Sequence, residues 1–213
     1  MSPREESRGA SGARRKRRTP EAAEREIVEA AETFLRERPF RELTVDDLMR
    51  RTGLSRPSFY VYFKDRHELV LRLTERIGSE LFEMSERWYE GTGDGPALVR
   101  EAVEGVVSVF AQHGPVLRAL ADAATEDRRV DNVYRGMLEQ FVTATTRHIE
   151  REVAAGRMEP LRARETATAL TWMIERYLQL NLGRPEESSV EEVSDVLATI
   201  LSRALYGVDG AGL

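Results

Sequence analysis

None of the 213 residues is a cysteine, which excludes disulfide frameworks, thiol nucleophiles and thiolate metal sites and makes the cytoplasm the default compartment. Histidine is nearly as scarce. His67, His113 and His148 are scattered, and His113, placed before Gly114 and Pro115, reads as a cation at a helix C-terminus rather than as a ligand. No segment approaches the roughly 20 uninterrupted apolar residues of a membrane span. The opening stretch MSPREESRGASGARRKRR is polar and charged, with the character of neither a secretory signal nor an anchor. A Gly-rich phosphate loop, an HExxH pair and a serine elbow are also missing, so no enzyme activity, cofactor or metal is expected. Strand-like alternation and internal repeats are lacking too, and the fold expected is all-α.

What is present is unevenly charged. The net charge of −5 divides into residues 1–66, with 16 Lys+Arg against 12 Asp+Glu (a net of +4), and the remainder, with 16 against 25 (a net of −9). Nucleic acid therefore belongs to the N-terminal third and is repelled by the rest. Arg14, Arg15, Lys16, Arg17 and Arg18 form a block after Gly, Ser and Ala residues, which predicts a disordered basic arm over 1–18. Such an arm is either a solvated tail or a source of extra phosphate contacts, entering a minor groove as homeodomain arms do.

Residues 44–64, TVDDLMRRTGLSRPSFYVYFK, carry the most information. Thr44 with Asp47 three residues later is a helix start, Val45, Leu48 and Met49 give the helix one apolar face, and Arg50 and Arg51 suit its C-terminal dipole. Gly53 supplies the left-handed residue that ends it. Leu54 is an apolar plug, Ser55 can cap a second helix, and Pro57 falls in that helix's first turn, where a missing N–H is tolerated. Two short helices on a glycine turn make a helix-turn-helix, with Ser55, Arg56, Pro57 and Ser58 facing the bases and Thr44 beside them. In the run that follows, Phe59 and Phe63 fit core packing. Tyr60 and Tyr62 are either amphipathic surface or, with Lys64, donors to phosphate oxygens that fix register without reading sequence.

At these residues the chain resembles the TetR family of transcriptional regulators, whose signature is a short helix, a glycine turn and a recognition helix ending in Tyr-x-x-Phe. Here that is TGLSRPSFYVYF, followed by Lys64, Asp65 and Glu68, and the resemblance is specific over about 20–73. Within the family the recognition segment and residues 167–176 are similar to the ethionamide-resistance (EthR-like) type of mycobacterial repressor. The resemblance implies about nine helices, with a helix-turn-helix headpiece over 19–64 and a C-terminal helical bundle over 65–213 that dimerises and binds a ligand.

Helical spacing agrees with that count. Thr19 and Pro20 start the first helix, Pro39 ends it, and Asp65 and Glu68 start a fourth whose apolar positions Leu69, Leu73, Ile77, Leu81, Met84 and Trp88 run on for several turns. A helix over about 97–112 is expected to break at His113, Gly114 and Pro115, giving a short helix to about 123, a longer one from 126, and two more over about 164–182 and 190–205. Those last two are apolar on more than one side, and the resemblance makes them a four-helix dimer interface, here through Leu170, Tyr177, Val193, Leu197, Ile200 and Leu201. A ligand pocket is expected among Val103, Val106, Phe110, Met137, Phe141, Thr171, Ile174 and Glu175. Glu175 and then Thr171 are its polar candidates, because the similar repressor turns polar groups of this helix toward its pocket. Ile174 stands where that repressor has an amide, so a shared ligand is not implied.

Three functions are weighed: a dimeric repressor that binds double-stranded operator DNA and is released by an apolar effector, a DNA-bound structural or cell-division factor with the same fold and no ligand, and a helical enzyme. An open apolar tunnel favours the first and a close-packed bundle the second.

Overall fold

The computed structural model describes residues 19–91, 93–182 and 189–207. The basic arm, and residues 183–188 of the polar break expected over 183–189, lie outside the described residues. All regular structure within them is helical. Helix α1 (Pro20–Glu37) begins where the Thr19 hydroxyl accepts the Ala22 N–H at 3.3 Å, and it stops before Pro39, which disfavours helical backbone in its predecessor. A 3-10 turn (Phe40–Glu42) leads to α2 (Val45–Thr52), capped by the Thr44 hydroxyl on the Asp47 N–H at 3.1 Å. Gly53 then takes φ +64, and because a Cβ there would meet nothing, the requirement is for the left-handed backbone itself. The recognition helix α3 (Arg56–Tyr62) follows. Ile27, Phe34, Leu48, Phe59 and Phe63, all essentially inaccessible, form the headpiece core.

Helix α4 (Arg66–Glu90) starts directly after the headpiece, with the Asp65 carboxylate accepting from the N–H groups of His67 (2.8 Å) and Glu68 (3.0 Å). Its 25 residues extend about 37 Å. The expected break at His113, Gly114 and Pro115 is not there: α5 runs continuously over Gly95–Glu126. Among the described residues, eight α-helices therefore stand where about nine were expected. Val109, Phe110, Val116, Leu117 and Leu120 continue one buried face through the proline, and Ala111, whose carbonyl loses its donor, lies on the exposed side where water can replace it. Packing has overridden the local signal. Helix α6 (Arg128–Ala154) follows after the single residue Asp127, then come α7 (Ala163–Leu182) and α8 (Val190–Tyr206). Helix α5 is the centre of the bundle, touching α4, α6, α7 and α8, while α1 rests on α4 and α5.

Two polar joints fasten the headpiece to the bundle. At the first, Glu32 of α1 is buried among Arg36, Arg76 and His113, whose Nδ1 lies 2.8 Å from Glu32 Oε1. His113 is therefore a buried mid-helix partner and not the helix-terminal cation expected from Gly114 and Pro115. Burial alone would raise the Glu32 pKa, but hydrogen bonds from the two arginines and the histidine hold it below the ordinary carboxylate value. The second joint links the start of α4 to the corner between α5 and α6: Arg129 donates to Asp65 Oδ2 at 3.0 Å, and His67 lies between Asp127 and Arg129.

Candidate nucleic-acid interface and apolar cavity

The recognition surface is built on α3. Arg56 is exposed, and in the absence of DNA its Nη1 lies 3.2 Å from both carboxylate oxygens of Asp46 on α2. Hydrogen bonding to the Tyr60 hydroxyl, with the nearby Asp46 charge, holds the Arg56 pKa above its ordinary value. An exposed ion pair of this kind is weak enough for a base edge or phosphate to displace. Ser55 and Ser58 share a hydrogen bond at 2.8 Å, Pro57 is exposed beside them, and Tyr60 stands 51% exposed. Tyr62 is half-buried against the core, so less of it can reach a phosphate, whereas Lys64 is exposed with its backbone N–H fixed by Glu68 at 2.7 Å. The Thr44 hydroxyl donates to Asp47 Oδ2 at 2.5 Å, so its proton is committed to the helix cap. Val61, not singled out by its sequence position, is the most exposed apolar residue on this face at 75%.

A cavity of about 110 Å³, as room for the centre of a water-sized sphere, lies between α4, α5, α6, α7 and α8. Since one such sphere needs roughly 10–15 Å³, this exceeds a packing defect. Val103, Val106, Phe110, Met137, Phe141, Thr171, Ile174 and Glu175 all line it. Helix α4 contributes Leu81, Ser85, Trp88 and Tyr89. Polar groups cluster at two points. Tyr89, whose pKa burial pushes up to about 12, approaches Thr145 at 3.4 Å at one. At the other, the Tyr134 hydroxyl donates to Glu175 Oε1 at 2.6 Å and accepts from Gln179 Nε2 at 3.1 Å. Burial, then the neighbouring Glu175 charge, drives the Tyr134 pKa far above its ordinary value, so the phenol stays protonated.

The α7 and α8 positions named for a dimer interface divide. Leu170, Val193, Leu197 and Leu201 are buried in the protomer's own core, and Leu170, Leu197 and Leu201 also line the cavity, so a partner subunit cannot rest on them. Tyr177 is half-buried, and Ile200 is 39% exposed. The large apolar side chains that α7 and α8 leave open are Trp172, Leu180, Val190, Val196 and Ile200. Apolar periodicity on both sides of a helix shows that two surfaces must be covered without showing which one the chain itself covers.

Comparison with known proteins bears on both sites. Residues 27–73 match the family described as bacterial regulatory proteins, tetR family, and residues 99–207 match the transcriptional regulator EthR, C-terminal domain. A Mycobacterium tuberculosis HTH-type transcriptional regulator EthR is 31% identical over 202 residues, covering 91% of this chain and 93% of that protein. The chain belongs to the TetR family. As a TetR-family member it is a transcriptional regulator and not an enzyme. Solved TetR structures share the fold: a TetR-family regulator from Syntrophomonas wolfei has a TM-score of 0.76 at 16% identity, covering 87% of this chain and 96% of that one. The regulator FadR from Bacillus subtilis, solved in complex with stearoyl-CoA, has a TM-score of 0.72 at 13% identity, covering 86% and 98%. Among the described residues of this TetR-family chain, no helix is long and apolar enough to cross a membrane.

Tyr134 and Gln179, which complete the polar end of the cavity, were not among the expected residues. Helical spacing contained the signal, since Tyr134 precedes Met137 by three residues and Gln179 follows Glu175 by four.

Proposed function

We propose that two copies of this chain bind operator DNA in the cytoplasm through paired recognition helices, repress transcription, and are released when an apolar small molecule enters the cavity. The carrying observation is that α4, which starts immediately after the recognition segment, also forms a cavity wall through Leu81, Ser85, Trp88 and Tyr89. The lever from Asp65 to Leu81 is about 24 Å long, so a small tilt at the cavity displaces the headpiece. Two recognition helices must match half-sites about 34 Å apart, and a dimer whose headpieces have moved loses that match. The solved FadR complex with stearoyl-CoA supports an occupant with a long apolar chain in this fold. By linkage, an effector that weakens DNA binding tenfold must itself bind the DNA-bound dimer tenfold more weakly, about 1.4 kcal/mol of coupling.

Footprinting the protein on the DNA upstream of its own gene supplies the operator, and Val106→Trp tests the cavity. The indole should fill empty space, raise the melting temperature, preserve operator binding and abolish release by apolar compounds. A variant that instead unfolds would mean Val106 faces packed core, and the effector reading would fail with it.

A further inference from the structure

Within the effector reading of the cavity, on which this inference rests, we propose that the occupant is a cationic amphiphile: an alkyl amine whose protonated head donates to Glu175 and whose chain lies along the apolar walls. Among the described residues, Glu175 is the only formally charged one lining the cavity, and no lysine, arginine or histidine lines it. An effector with a carboxylate or phosphate head would bring its charge beside Glu175 with no basic lining group to meet it. A fully apolar effector would fill the walls but bring the carboxylate no new donor, so an apolar chain that carries a donating head adds a contact that the walls alone do not supply.

The hydrogen-bond inventory gives the same polarity. The single Tyr134 proton goes to Glu175 Oε1, and a Gln179 amide proton goes to the Tyr134 oxygen, so the donors nearest the carboxylate are already used by the chain itself. The second carboxylate oxygen, Oε2, remains an acceptor. Glu175 is half-buried, so it is accessible to a ligand while sheltered from full solvent screening. Arg176, its neighbour, is exposed about 100° round the helix and does not occupy that oxygen.

Three probes of equal chain length separate the heads: octylamine, 1-octanol and octanoate, titrated at neutral pH into the full chain, with Trp88 fluorescence and melting temperature as readouts. Octylamine should bind about tenfold tighter than octanol, as a charge-assisted hydrogen bond requires, and octanoate weakest. Glu175→Gln should bring octylamine to the octanol level and leave octanol unchanged, while Tyr134→Phe, which frees Oε1, should keep the amine preference. Equal binding of amine and octanol by the wild type, or an amine preference surviving Glu175→Gln in a folded variant, overturns the inference. In that case release of operator DNA by any of the probes leaves the effector reading standing. If none of the three binds, or if Val106→Trp binds them as the wild type does, the cavity is not the effector site and both readings fall.

Discussion

Arg56 is held before it meets DNA. Its guanidinium rests on Asp46 and Tyr60 close to the surface where a base edge would lie, which limits the rotamers it must give up on binding. An arginine near the start of a recognition helix can bond guanine O6 and N7 together, so Arg56→Ala should weaken operator binding about tenfold to hundredfold and relax base preference. Lys64→Ala should weaken all sequences alike, because a phosphate contact carries no base information. Titrations on operator and scrambled DNA decide the matter, and equal losses on both for Arg56→Ala would exclude direct readout. Residues of this kind were legible because cap, glycine turn and aromatic spacing occupy one short segment. Tyr134 was not, since the reading of α6 rested on Met137 and Phe141, and tyrosine reads as surface until its hydroxyl has a buried partner. Nor was the Glu32 and His113 pair, which joins residues 81 positions apart.

At the scale of elements, local punctuation and tertiary packing compete, and α5 shows packing prevailing. Gly114 and Pro115 signal a break, yet the helix continues because its buried face is uninterrupted on both sides. Pro115→Ala should therefore restore the hydrogen bond to the Ala111 carbonyl and stabilise the protein by about 1–2 kcal/mol, less than the full cost of an interior proline because the native helix has already accommodated it. Urea unfolding measures this, and a destabilised variant would mean the proline's shape is required there. Helices α7 and α8 show a second limit of periodicity, which found two apolar faces but drew four of its six partner contacts from the inner one. Ile200→Asp, on the open face, should sediment as a monomer with its helicity retained, whereas Leu197→Asp should unfold the protomer by burying an unpaired charge. An Ile200→Asp protein as dimeric as the wild type at micromolar concentration would move the interface elsewhere.

Over the whole molecule, charge and shape assign separate tasks to the two ends. Residues 1–66 carry a net of +4, with the excess confined to residues 1–18 (7 Lys+Arg against 2 Asp+Glu), and the net of −9 over the remainder disfavours DNA there. Glu32 and His113 form one joint between these parts, and the group of Asp65, His67, Asp127 and Arg129 forms the other, so the headpiece is tied to α5 and α6 as well as continuing into α4. The arm Arg14, Arg15, Lys16, Arg17 and Arg18 adds positive charge ahead of the first helix cap, Thr19. Deleting residues 1–18 spares that cap, and the melting temperature should hardly change. Each arm cation that reaches a phosphate releases a counterion, so its loss lowers the slope of log K against log salt by roughly one. The shortened protein should bind operator more weakly at low salt and converge on the wild type as salt rises. Parallel salt plots for the two proteins would mean that the arm does not touch DNA and that α3 with its flanking residues supplies all of the electrostatic contact.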